Sequence, residues 1–200
     1  MLQDVYTLIG DLWTGPLASD TQNADIRRDG AALAKQLKAV DKEGASALSD
    51  FLDQHDVSEE AYVDLFELDP QCPLYLGHHR FDEPKTCAGA AVSDRNAYMI
   101  DLVGVYRHFG RAPNGKELPD YLPLMIDFLS MTTDAKDDPI RQKFVDEFFL
   151  PFLPPIRTRL EKLETPYLHL FDAMERVIEV ERQTQSLSQN NDREVEEDVG

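Results

Sequence analysis

The chain has 200 residues, enough for one domain with a single sizeable core. Its 38 acidic against 20 basic side chains leave a formal charge of -18, which repels phosphate, excludes nucleic acid and anionic membrane as natural partners, and suits a basic partner instead. No run is long and apolar enough to span a membrane, and two cysteines, Cys72 and Cys87, are too few for a disulfide framework and fit a reducing compartment.

Apolar residues recur at three- and four-residue spacing and almost never alternate, which predicts an all-α chain of helices joined by short breaks. The opening stretch MLQDVYTLIGDLWTGP carries Asp4 and Asp11 and no Lys or Arg ahead of its apolar run, so it is not a secretory signal and the protein reads as cytoplasmic. It predicts a first helix over 3–13 with Val5, Leu8, Ile9 and Leu12 on one face, before Gly15 and Pro16. A second helix is expected over 23–40 with Ile26, Leu33 and Leu37, and a third over 44–54. Asp56 or Ser58 can cap a fourth, whose Tyr62, Leu65 and Phe66 face inward before Pro70 stops it. A helix over 90–109 shows Met99, Leu102, Val103 and Tyr106 on one side, followed by the loop residues of GRAPNGKE.

The stretch KELPDYLPLMIDFLSMTTD, residues 116–134, places two prolines before a segment that is apolar almost all the way round. With Asp120 as N-cap, its carboxylate would accept from the Leu122 amide and Pro123 would fall at N3. Leu122, Leu124, Met125, Ile126, Phe128 and Leu129 then cover most of the circumference of a buried helix. Asp120, Asp127 and Asp134, seven apart, would share a stripe with Ser130 beside it. That acidic edge is either a cap with solvated acids or one wall of a groove for a basic, partly apolar peptide. Residues 41–70 add ten acids with only Lys42 as a base.

Downstream, Phe144, Val145, Phe148, Phe149 and Phe152 form a core stripe that Pro151, Pro154 and Pro155 bend or break. Thr165 and Pro166 read as N-cap and N1 of a last helix carrying Tyr167, Leu170, Phe171, Met174, Val177 and Ile178 on one side. From 183 the chain turns polar and acidic, so the helical domain is expected over 1–182 and a disordered acidic tail over 183–200. Cys72, His78, His79 and Cys87 lack the spacing of a common zinc site, and no Walker-type loop, G-x-G-x-x-G or G-x-S-x-G occurs, so no metal, no cofactor and no catalysis are expected.

Two linked blocks, EEAYVDLFELDPQCPLYLGHH at 59–79 and KELPDYLPLMIDFLS at 116–130, resemble the TorD/DmsD/NarJ-type maturation chaperones of molybdenum redox enzymes, and the nitrate reductase delta branch in particular. The resemblance spans about 55–180. It implies a single-domain helical bundle and a cytoplasmic assembly factor absent from the finished enzyme. Such a factor binds the N-terminal leader, often a twin-arginine export signal or its remnant, and the apo form of a molybdopterin oxidoreductase catalytic subunit until the cofactor is inserted. Position by position, Tyr62 and Phe66 match the first part of the pattern, Cys72, Pro73, Leu74 and Tyr75 the second, and Glu117, Pro119 and Asp120 the third; Tyr121 stands where the family commonly has His. The implied leader-contact set is Tyr62, Phe66, Leu74, Tyr75, Glu117, Pro119, Asp120, Tyr121 and Asp127. The protein is expected as a monomer or homodimer. Rival readings are a pterin- or nucleotide-binding delivery protein and a generic helical adaptor.

Overall fold

The computed structural model describes residues 1–16, 20–53, 58–81, 93–113 and 115–197, and side chains in all of these except 20–23 and 187–197. The apolar periodicity resolves into α1 (Leu2–Trp13), α2 (Asp20–Leu37), α3 (Lys42–Asp53), α4 (Glu59–Phe66), α5 (Asp94–His108), α6 (Leu122–Met131), α7 (Pro139–Lys143), α8 (Leu153–Leu163) and α9 (Tyr167–Glu197). There is no strand among the described residues; the chain is an all-α, single-domain bundle. Among the described residues no helix is long and apolar enough to cross a membrane.

Two helix pairs organise the core: α1 lies along α6, and α3 packs on α9, with α2 against α3 and α1 also touching α9. The second pair meets closely because Gly44 lacks a side chain. A Cβ there would stand 2.9 Å from both Arg176 Cβ and Asp41 Oδ1. Asp41 caps α3 by accepting from Gly44 N at 2.5 Å and also receives the Arg176 guanidinium, which holds its carboxyl below the usual range.

Aromatic rings close the ends of the bundle. Trp13, at the end of α1, lies 5.3 Å from Tyr167 and 5.9 Å from Phe66, and Phe66 meets Tyr167 edge-on at 4.7 Å, joining α1, α4 and α9. Elsewhere Tyr98 stacks on Phe152 at 4.3 Å and donates its hydroxyl to Phe148 O at 2.8 Å. That cluster sets the rotation of α5, whose buried face is Tyr98, Leu102, Val105 and Tyr106; Met99 and Val103, expected inward, are only half-buried. The phenylalanine stripe is core as expected, and the chain passes it through a π-helical turn, Phe144–Phe149, and a 3-10 turn around Pro151.

Other local expectations divide. Ser58 caps α4, accepting from Ala61 N at 3.1 Å, while Asp56 lies outside the described residues, as do Cys87 and residues 90–92 of the helix expected from 90. The Thr165 hydroxyl is buried without a partner and does not cap; Thr165 and Pro166 instead offer carbonyls to Leu168 N and His169 N. The last helix does not stop at 182 but continues through Glu197, with the Gln185 side chain donating to Lys136 O at 2.5 Å. Residues 198–200 lie outside the described set.

A buried ion pair ties the two helix pairs together. Arg141 (1 % exposed) and Glu181 (2 %) meet at 3.0 Å. Arg141 also donates to Thr132 Oγ1 (2.9 Å) and Leu129 O (3.2 Å), and Tyr6 donates to Glu181 Oε2 at 3.1 Å. One network therefore joins α1, the end of α6, α7 and α9. Removing one partner leaves the other charge buried and unpaired, so Glu181→Ala is expected to lower unfolding free energy by about 3–5 kcal/mol in urea titration. A loss below about 1 kcal/mol, the level of an exposed pair, would contradict this role.

Candidate peptide-binding site

The two blocks singled out in the sequence are brought together by backbone pairing. Leu76 N donates to Asp120 O (3.0 Å) and Leu122 N to Leu74 O (2.8 Å), making Tyr75 and Tyr121 an isolated antiparallel bridge. Their rings lie 5.3 Å apart, and Tyr75 donates its hydroxyl to Glu117 Oε2 at 2.6 Å. Burial, and then the Glu117 carboxylate, push the Tyr75 phenol above its ordinary range.

Asp120 does not cap α6. The N-cap residue is Tyr121, without a side-chain bond, and the Leu122 amide is taken by Leu74 O. The Asp120 carboxylate turns inward, is 0 % exposed, and accepts from Gly77 N at 2.9 Å, so it secures the 3-10 turn Leu76–His79. A helix start and this turn both present unpaired amides, and the turn wins because the bridge delivers Asp120 to it. Burial raises the Asp120 pKa; the Gly77 amide and the charge of Arg95 act against that rise. The expected stripe dissolves as well. Asp134 falls in a 3-10 turn past the end of α6, and Ser130 is buried against α1, where its hydroxyl meets Thr7 Oγ1 at 2.7 Å and Gln3 O at 3.1 Å.

Asp127 is exposed, on the edge of a groove of about 310 Å³ between α1 and α6. From α6 and the residues before it come Glu117, Tyr121, Pro123, Leu124 and Asp127; from α1 and the residue just past its end come Thr7, Gly10, Asp11 and Thr14. Gly10 faces Ile126, and a Cβ there would make an ordinary contact with Ile126 Cγ2 at 3.6 Å. Asp11 and Asp127 approach one another across the groove: burial raises the Asp11 carboxyl first and the Asp127 charge raises it further, while Asp127 is raised by burial and eased by Arg111.

Of the nine predicted contact residues, Glu117, Tyr121 and Asp127 line this groove, and Tyr75 and Pro119 are half-buried beside them. Tyr62, Phe66, Leu74 and Asp120 are buried beneath. Tyr62 donates to Trp13 O at 3.0 Å, and Pro119 O accepts from the Tyr106 hydroxyl at 2.7 Å. The Tyr62 and Tyr121 phenols interact, and each is raised chiefly by burial. The α1 wall was missed from sequence. Its signal is the spacing of Thr7, Gly10, Asp11 and Thr14 at i, i+3, i+4 and i+7, a small polar face next to the apolar one. Cys72 is a buried free thiol, raised to about 11 by burial, and His79 Nε2 is 2.6 Å from Pro73 O.

Two outcomes follow from the inward carboxylate. A Cβ at Gly77 would stand 2.9 Å from Asp120 Oδ2, so Gly77→Ala is expected to break the clamp and cost about 1–3 kcal/mol, read from urea midpoints. Because the folded pKa of Asp120 lies above 3.8, its favourable contribution is complete below that value and is lost as pH rises through the raised one. Asp120→Asn, which keeps an acceptor for Gly77 N, should gain stability relative to wild type as pH rises through that window. A stability difference independent of pH would contradict the assignment.

Comparison with known proteins places these features. The Nitrate reductase delta subunit family profile matches residues 31–173, which includes both blocks and α6 but not α1. The chain is 36 % identical over 81 residues to the probable nitrate reductase molybdenum cofactor assembly chaperone NarW of Escherichia coli (strain K12), covering 40 % of this chain and 33 % of that protein. It is 30 % identical over 143 residues to the nitrate reductase molybdenum cofactor assembly chaperone NarJ of the same strain, covering 68 % and 55 %. To the probable chaperone NarJ of Bacillus subtilis (strain 168) it is 29 % identical over 115 residues, covering 58 % and 55 %. The matched regions span between a third and about half of these relatives' lengths. With most of its length matched by one profile, the chain belongs to the nitrate reductase delta subunit family.

Proposed function

We propose that this protein is a cytoplasmic assembly chaperone, not an enzyme, for the catalytic subunit of a molybdopterin-containing oxidoreductase of the nitrate reductase kind. It binds that subunit's N-terminal leader and holds the apo form until the cofactor is inserted. The family membership and the relatives named as cofactor assembly chaperones support the role.

The observation that carries leader binding is the α1–α6 groove. Asp11, Glu117 and Asp127 surround Tyr121, Pro123 and Leu124, and among the described residues lining the groove there is no Lys or Arg. Carboxylates matched to apolar surface suit a leader that pairs arginines with an apolar segment, since a guanidinium binds a carboxylate through paired, charge-assisted hydrogen bonds. Asp120, Leu74, Tyr62 and Phe66 act in this reading from below, holding Glu117 and Tyr121 in place. Tyr121 supplies an aromatic face and a hydroxyl where the family commonly has an imidazole.

Calorimetry with a synthetic leader of the client tests this. Affinity should fall as salt rises, because exposed attractions are screened over about 8 Å at physiological ionic strength. Asp11→Asn/Asp127→Asn should weaken binding by about tenfold, equal to about 1.4 kcal/mol, without lowering the melting temperature. Both carboxyls titrate above 3.8, so affinity should be lost as pH falls through their raised values. Wild-type affinity in the double variant, or affinity indifferent to salt, would overturn the groove assignment.

A further inference from the structure

α3 exposes a ridge with grooves of opposite charge on its two flanks. Between α2 and α3 lies a groove of about 420 Å³ whose floor is Ala34 and Ala45 and whose rim carries Lys35, Lys38 and Lys42. Between α3 and the α8–α9 pair lies another of about 490 Å³, bordered by Glu43, Asp50, Asp172 and Glu175 with Arg157 and Arg176 among them. Ser46 borders both grooves, so its small side chain marks the crest between them.

The charges in the two grooves are used differently. Arg157 is shared by Asp172, Glu175 and Glu161, and Arg176 by Asp41 and Glu43, so four bordering carboxylates against two guanidiniums leave the second groove negative. Burial raises the Glu175 carboxyl, Arg157 acts against that rise, and Asp172 and Glu161 add to it. Lys35, Lys38, Lys42 and Asp50 are exposed and form no ion pair with the described residues. In a chain of net charge -18, three lysines in one groove without an acidic partner of their own are available to acids from outside.

We propose that this face is a homodimer interface in which a second copy of the chain docks through a two-fold axis running along the exposed ridge of α3. That operation sets Ser46 against the partner's Ser46 and exchanges the flanks, so the basic groove of each copy faces the acidic groove of the other. A two-fold contact must be self-complementary, and opposite charges on either side of a small-residue crest meet that condition twice per dimer. The small crest lets the two helices approach. The face is formed by α2, α3, α8 and α9, away from the α1–α6 groove, so dimerisation and leader binding are separate properties.

Sedimentation of the full chain at physiological ionic strength, over a range of concentrations, tests the proposal. Wild type is expected to dimerise reversibly. Lys38→Glu/Lys42→Glu makes both grooves acidic and Glu43→Lys/Asp50→Lys makes both basic, so each variant alone should shift towards monomer. An equimolar mixture of the two should recover the dimer, because the altered grooves are complementary to one another. Melting curves of each variant establish that it is folded, and recovery on mixing cannot come from misfolded chains. A wild type that is monomeric at its highest soluble concentration, variants that associate as wild type does, or a mixture that stays monomeric would each overturn the proposal.

Discussion

A single carboxylate out of contact with solvent holds the site together. Asp120 accepts from Gly77 N at 2.9 Å while its own backbone pairs with Leu76, so two segments more than forty residues apart are fastened at adjacent points. A buried carboxylate with one oxygen lacking a partner is costly to maintain. The Gly77 amide and the field of Arg95 offset part of that cost. The clamp aims Tyr75 at Glu117 and sets Tyr121 at the mouth of α6. Without it, the acidic rim would hang on a loop with nothing to orient it.

The clamp needs a second fixed wall opposite, and α1 supplies it. Thr7 and Ser130 join the two helices by a hydrogen bond, and the Arg141–Glu181 pair reaches Tyr6 on the buried side of the same helix. α1 is thus held by polar contacts on two faces and by Trp13 at its end. A groove between rigid helices presents charges already in position, which lowers the ordering cost of binding a flexible peptide. In the proposed function, the net charge of -18 would draw a basic leader from a distance and the groove residues would decide where it stops.

The helices were legible because each buries a face, and burial writes a 3.6-residue period into the sequence. The third-to-last expectation of this kind, α5, shows the limit: period alone left its rotation one residue wrong, and the stacking of Tyr98 on Phe152, a contact across 54 positions, decided it. The candidate groove was legible in its α6 half. Glu117, Tyr121 and Asp127 could be named, but Asp120 was given the wrong amide because proline and aspartate before a helix satisfy the capping pattern even when another segment claims the carboxylate. Asp11 and Thr7 stayed hidden since their role comes from packing against residues more than a hundred positions away. The continuation of α9 to Glu197 runs against a polar composition that predicted disorder, and Gln185 bonding to Lys136 O anchors its first extra turn.

The central claim is that a client leader docks between α1 and α6. Its most direct test is to titrate the isotopically labelled full-length chain with the leader peptide and follow backbone amide shifts by NMR. The account predicts that the shifts concentrate at Thr7, Asp11, Glu117, Tyr121 and Asp127, with the Gly77 amide unmoved because the clamp beneath stays closed. Shifts centred on the α2–α3 face, or a Gly77 amide that moves with the groove residues, would contradict it.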